Sequence, residues 1–120
     1  MKDDRLYLHH ILERCQRIAR FISAGREKFL AAEELQDAII RNIEVIGEAA
    51  KRVSPESRAR LAPLDWKRIC GMRDVLIHDY IGVDLEEVWN AASNRIPELQ
   101  AMLEPFLSSD TGEDGPQIRR

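Results

Sequence analysis

A chain of 120 residues, 44% of them hydrophobic, can bury one core, which excludes an intrinsically disordered protein. The formal net charge of −3, with 32% charged residues, excludes a surface that is basic throughout, so contact with a nucleic acid has to rest on a local basic patch. No apolar run approaches the ~20 residues that span a bilayer and no signal-peptide core follows Met1, so a cytoplasmic protein with no membrane partner is expected.

Helical periodicity governs the chain, with no strand-like alternation to compete with it. The first helix is predicted from about Asp3 to Ser23. Its stripe is Leu8, Ile11, Leu12, Cys15, Ile18, Ala19 and Ile22, with Asp3 and Asp4 at the positive end of its dipole and Gly25 as a stop. A second runs from about Ala31 to Val53. Its apolar face (Leu35, Ala38, Ile39, Ile43, Ile46, Ala49, Ala50, Val53) is wide enough for a central helix with several neighbours or for one shared with a second subunit. Ser54 and Pro55 read as a cap and first residue of a short helix to about Leu61, which Pro63 closes. Asp65 caps the next helix, whose stripe is Trp66, Ile69, Cys70, Leu76 and Ile77, until Gly82 breaks the pattern. Asp84 and Glu87 have capping-box spacing at the start of the last helix. Leu85, Val88, Trp89, Ala92, Ile96, Leu99, Leu103 and Phe106 share one face there, and Pro97 predicts a kink. The expected organisation is one helical domain over 1–107 and a disordered tail over 108–120, where Ser, Asp, Gly, Glu and Pro take over.

Polar residues that interrupt an apolar stripe carry the functional information. Continued at helical spacing, the Trp66 series reaches Arg73, then Leu76 and Ile77, then Tyr80. Arg73 is therefore expected on the inward face, where a guanidinium is costly without a partner. It either meets a carboxylate, with Glu44 and Glu48 as possible partners, or lines a cleft or interface. Arg95 holds a similar place on the last helix. His78 is suited to proton transfer near neutral pH. Five residues from Arg73, it stands at roughly 140° around an ideal helix, so the two side chains converge only if the helix ends near Ile77 to Asp79 or a second subunit joins them. His9 and His10 are adjacent and cannot form an i, i+4 metal pair, Cys15 and Cys70 read as free thiols, and no Gly-rich phosphate loop is present. No metal site and no cofactor are expected.

The string Arg73-Asp74-Val75-Leu76-Ile77-His78-Asp79-Tyr80 resembles the R-x4-6-H-x-Y signature of the HepT-like toxins, a branch of the HEPN superfamily. The resemblance extends to Ile46-Gly47-Glu48-Ala49-Ala50, to Trp66 through Tyr80, to Gly82-Val83-Asp84 and to Trp89, covering roughly Asp3 to Phe106. It implies an all-α bundle of four or five helices that pairs into a homodimer, with the signature lining a cleft between subunits. It implies metal-independent cleavage of RNA by Arg73 and His78. It also implies a partner, a nucleotidyltransferase antitoxin that transfers AMP to Tyr80. Asp74 stands where such motifs often carry Asn; it keeps a polar acceptor in the cleft and adds a negative charge.

The residue types suit that chemistry, because RNA supplies its own 2′-hydroxyl nucleophile and needs only proton transfer and charge stabilisation at phosphate. Arg73 offers a two-pronged phosphate contact, and a two-fold dimer would provide a second His78 as the acid to the first one's base. Two other readings use the same residues. One is a non-catalytic HEPN module that binds nucleotide or RNA beside a nucleotidyltransferase. The other is a helical interaction protein with Arg73 in a structural salt bridge.

Overall fold

The computed structural model describes residues 2–78 and 82–114. The chain forms α1 (Lys2–Ile22), α2 (Arg26–Ala31), α3 (Glu33–Lys51), α4 (Pro55–Arg60), α5 (Trp66–Cys70) and α6 (Met72–Leu76). A two-stranded antiparallel hairpin of β1 (Ile77–His78) and β2 (Gly82–Val83) follows, then α7 (Leu85–Asn90), a π-turn (Ala91–Arg95) and α8 (Ile96–Asp114). The all-α expectation holds, with the hairpin as an addition that two-residue strands could not announce by periodicity. No helix among the described residues is long and apolar enough to cross a membrane.

α3 is the central element. It packs against α1, α2, α5, α6 and α7, and its Ile39, Ile43 and Ile46 are wholly removed from solvent within one chain. Its wide apolar face is thus filled by its own neighbours, and a second subunit is not needed to cover it. α1 contributes Leu8, Ile11, Cys15 and Ile18 to the same core, and α8 contributes Ile96, Leu99, Leu103 and Leu107. Each such aliphatic side chain stabilises the fold by roughly 1.5–3 kcal/mol relative to exposure.

Besides the hairpin and the segment after Trp66, α2 and the start of α8 depart from the sequence reading. α2 was not predicted, because six residues show no clear period. It exists to bury Phe29, whose ring lies 5.4 Å from that of Trp89. Gly25, at φ +97°, makes the turn into it, and the Gln36 side chain donates to the Phe29 and Leu30 carbonyls at 3.0 and 3.2 Å where the helix stops. In the last helix, the irregularity expected at Pro97 takes the form of the π-turn just before it. Pro97 has no N–H and its ring crowds the preceding turn, and a single wider turn relieves both. The α8 backbone continues to Asp114, beyond the position where composition placed the start of the tail.

A buried polar knot fixes the start of α1. Asp4 is 3% exposed and accepts from the Ser54 N–H at 3.0 Å, from the Ser54 hydroxyl, and from the Ser57 hydroxyl at 2.7 Å. Ser54 is at the same time the N-cap of α4. Burial by itself would raise the Asp4 carboxyl, but the hydrogen bonds from both serines outweigh it and hold the group below its ordinary value of 3.8.

Candidate functional site

The segment that carries the signature is placed by contacts at both ends of α5. Asp65 caps the helix by accepting from the Arg68 N–H at 3.1 Å, and the Trp66 indole donates to the Leu61 carbonyl at 3.3 Å. Arg58 lies over the Trp66 ring at 5.5 Å and donates to the Ala50 carbonyl at 2.9 Å, which joins α4 and α5 to the end of α3. At the other end, the Cys70 carbonyl approaches Gly47 so closely that a Cβ there would stand 3.3 Å from it. Glycine at 47 lets α5 rest on the α3 backbone.

Gly71 separates α5 from α6 and resets the helical phase. In consequence Met72 and Leu76 take the inward positions, at 2% and 0% exposure. This corrects the expectation that Arg73 occupies the inward stripe: an unbroken helix from Trp66 would bury it, but the break leaves half of its side chain open to solvent. Arg73 does meet a carboxylate. Its Nε donates to Glu44 Oε2 at 2.6 Å, and its outer nitrogen lies 3.7 Å from Asp74 Oδ1. Glu44, one turn before Gly47 on α3, is also 3.7 Å from Arg41. Of the two partners that sequence offered, Glu44 is selected; Glu48 pairs with Lys51 instead, at 3.4 Å. Arg41 was not singled out, although its i, i+3 spacing to Glu44 was a visible signal.

Helix α6 ends at Leu76, whose carbonyl accepts from the Asp84 N–H at 3.0 Å as the hairpin closes. β1 pairs with β2 in the register Ile77 with Val83 and His78 with Gly82, and Gly82 adopts φ +102°, a conformation that suits glycine. The backbone is thus extended at His78, and the helical offset of roughly 140° from Arg73 does not apply. This is the condition that convergence of Arg73 and His78 requires. His78 is described by its backbone, and Tyr80 lies outside the described residues.

Arg95 lies outside the Arg73 cluster. Its ion-pair partner is Glu87, at 4.0 Å, rather than Glu44 or Glu48, and it lines a small pocket beside α5. His9 and His10 are both exposed on α1, and partial desolvation of the His9 imidazole by its neighbours, followed by the nearby Arg5 charge, lowers it below its usual value. Cys15 and Cys70 are free thiols.

Comparison with known proteins gives a consistent result. The family model described as "Ribonuclease HepT-like" matches residues 11–106. The chain is 39% identical over 111 residues to "Putative RNase TTE0752" of Caldanaerobacter subterraneus subsp. tengcongensis, covering 92% of this chain and 99% of that protein. It is 35% identical over 114 residues to "Putative RNase MJ1216" of Methanocaldococcus jannaschii, covering 94% of each. It is 39% identical over 100 residues to "Probable ribonuclease HepT" of Thermococcus cleftensis, covering 82% of this chain and 90% of that protein. No solved structure matches.

Proposed function

From the premise that this chain belongs to the HepT-like ribonuclease family, we propose that it is a metal-independent endoribonuclease toxin that works in the cytoplasm as a homodimer. The observation that carries this reading is the state of Arg73. The Arg73 side chain is half exposed, and its pair with Glu44 at 2.6 Å contributes about 0–1 kcal/mol to folding, so that pair does more to orient the guanidinium than to stabilise the fold. The same geometry suits a phosphate ligand, because one edge of the guanidinium is fixed while half of the side chain stays open to solvent.

The proposed reaction is transesterification within the RNA. His78 of one subunit takes the proton of a 2′-hydroxyl, and that oxygen attacks the adjacent phosphorus. Arg73 offsets the negative charge that builds on the phosphoryl oxygens. The bond to the 5′-oxygen breaks, and the second subunit's His78 supplies the proton to that oxygen, leaving a 2′,3′-cyclic phosphate and a 5′-hydroxyl. Two histidines are required because one imidazole cannot be base and acid in the same step, and a two-fold assembly brings the second one. Asp74, 3.7 Å from the Arg73 guanidinium, would orient that group or a substrate hydroxyl.

Control is proposed to fall on Tyr80. Its hydroxyl oxygen would attack the α-phosphorus of ATP on a partner nucleotidyltransferase, forming a phosphodiester and releasing pyrophosphate. The added phosphate would then compete with RNA for Arg73, and its bulk would fill the groove.

One set of preparations tests the reading. The chain purified without its partner should cut RNA in the presence of EDTA and sediment at twice its 13.8 kDa mass. Co-expressed with the partner, it should be silent and heavier by one or more AMP units, with the addition missing in Tyr80→Phe. A monomer that cuts nothing, or cleavage that needs a divalent cation, would overturn it.

A further inference from the structure

The carboxylate that holds Arg73 also meets a second guanidinium. Glu44 Oε2 accepts from Arg73 Nε at 2.6 Å, and Glu44 Oε1 lies 3.7 Å from an outer nitrogen of Arg41. Arg41 stands one turn before Glu44 on α3, on the side away from Gly47, where α5 rests. Two arginines, one from α3 and one from α6, therefore flank a single carboxylate.

The two contacts differ in kind. Arg73 is hydrogen-bonded to Glu44, which fixes one edge of its guanidinium. Arg41 is 72% exposed, and 3.7 Å is beyond hydrogen-bond reach, so this pair leaves its N–H donors uncommitted. An exposed pair at i, i+3 spacing is weak and screened, and it does not hold the side chain against a better partner. Phosphate is such a partner, because a guanidinium meets two of its oxygens with parallel donors.

The cluster selects by geometry rather than by a general field. Among these four side chains, Glu44 and Asp74 offset the charges of Arg41 and Arg73, so a distant anion feels little excess charge. What an anion meets at close range is an anchored guanidinium and, across one carboxylate, a loosely held one. A nucleic-acid strand matches that pair, since a stacked strand carries a phosphate about every 3.4 Å along its axis. With one phosphate at Arg73, the neighbouring phosphate comes within the sweep of the Arg41 side chain. We infer that Arg41 leaves Glu44 to bind the RNA phosphate adjoining the one at Arg73, so that α3 supplies a second phosphate contact outside the signature. Its departure also gives the Glu44 carboxylate wholly to Arg73. The inference rests on the ribonuclease reading for its ligand and deepens it by setting where the strand lies.

Binding measured apart from cleavage tests it. A fluorescent 2′-O-methyl oligonucleotide lacks the nucleophile, so anisotropy titrations across a range of salt give affinity and its salt dependence alone. Losing one phosphate contact on a single strand should reduce the slope of log affinity against log salt by about 0.7. Arg41→Gln should show that reduction and bind about ten-fold more weakly, the loss expected of one charge-assisted contact. Arg41→Lys keeps the charge without the fork, so it should keep the slope and fall between the two in affinity. Lys28→Gln removes the same charge from an exposed position on α2, outside the cluster, and should bind as the wild type does. With cleavable RNA, the Arg41→Gln loss should appear in KM. An unchanged slope in Arg41→Gln, or an equal loss in Lys28→Gln, would overturn the inference. So would a fall in kcat with wild-type binding, which would show that Arg41 acts only by holding Glu44. The reduced slope in Arg41→Gln, with unmodified RNA left uncut by the wild-type chain, would uphold the contact and overturn the ribonuclease reading.

Discussion

Removing the Glu44 carboxylate separates a positioning role from a structural one. Glu44 is 27% exposed and Arg73 50%, so their pair at 2.6 Å is screened by water, and its loss in Glu44→Ala should cost less than about 1 kcal/mol of stability. The cost in rate should be larger. With Nε released, the guanidinium can swing by an ångström or more, and displacement on that scale is worth about 10²-fold in rate. A donor that no longer faces the developing charge costs a similar or larger factor. Glu44→Ala should therefore lower kcat for RNA cleavage by roughly two orders of magnitude while chemical unfolding stays within about 1 kcal/mol of wild type. Glu44→Gln keeps an oxygen for Nε and should fall between the two. Single-turnover cleavage and urea unfolding on the same preparations supply both numbers. Wild-type cleavage by Glu44→Ala would refute the positioning argument, and a loss of several kcal/mol would show that the pair belongs to the fold.

Three further outcomes follow from the fold. Asp4→Ala strands the Ser54 and Ser57 donors in the interior and should cost about 1–3 kcal/mol, read from denaturant midpoints. Because the folded Asp4 carboxyl titrates below 3.8, its contribution is complete above that pH and fades as pH falls through the folded value. The stability gap between wild type and Asp4→Asn should accordingly shrink in acid, and a gap constant from pH 7 to pH 2 would contradict the assignment. Burial, followed by the Glu104 charge, pushes the Cys15 thiol up to about 12, so alkylation of the native protein should label Cys70 first and reach Cys15 only after unfolding. Gly47→Ala should be nearly neutral, its gain in helix propensity of about 1 kcal/mol set against the 3.3 Å approach of Cys70, whereas Gly47→Val should lower both the melting temperature and cleavage by displacing α5 and α6 from α3.

Long periodic segments were legible in the sequence and short ones were not. The stripes of α1, α3 and α8 could be read because three or more turns repeat one apolar face, and the caps at Ser54, Asp65 and Asp84 could be read because their side chains accept from N–H groups three residues on. Phe29 buries a six-residue helix without any repeat to announce it. Arg73 was assigned to the wrong face because the break at Gly71 shifts the phase, and a lone glycine in a helical pattern does not say whether it interrupts the helix. Glu44 was one of two candidates since only the tertiary fit of α6 on α3 could choose between them. The pocket at Arg95 was visible only as an arginine out of place, because its other walls, Glu98 and Leu99 apart, come from the distant stretch between Pro63 and Met72.

Cleavage by the two signature variants tests the central claim most directly. Arg73→Ala and His78→Ala, purified without a partner and shown by circular dichroism to keep the helical fold, should each leave a defined single-stranded RNA intact in EDTA, while the wild-type chain cuts it and leaves 2′,3′-cyclic phosphate ends. Cleavage at the wild-type rate by either folded variant would contradict the assignment of Arg73 and His78 to the reaction.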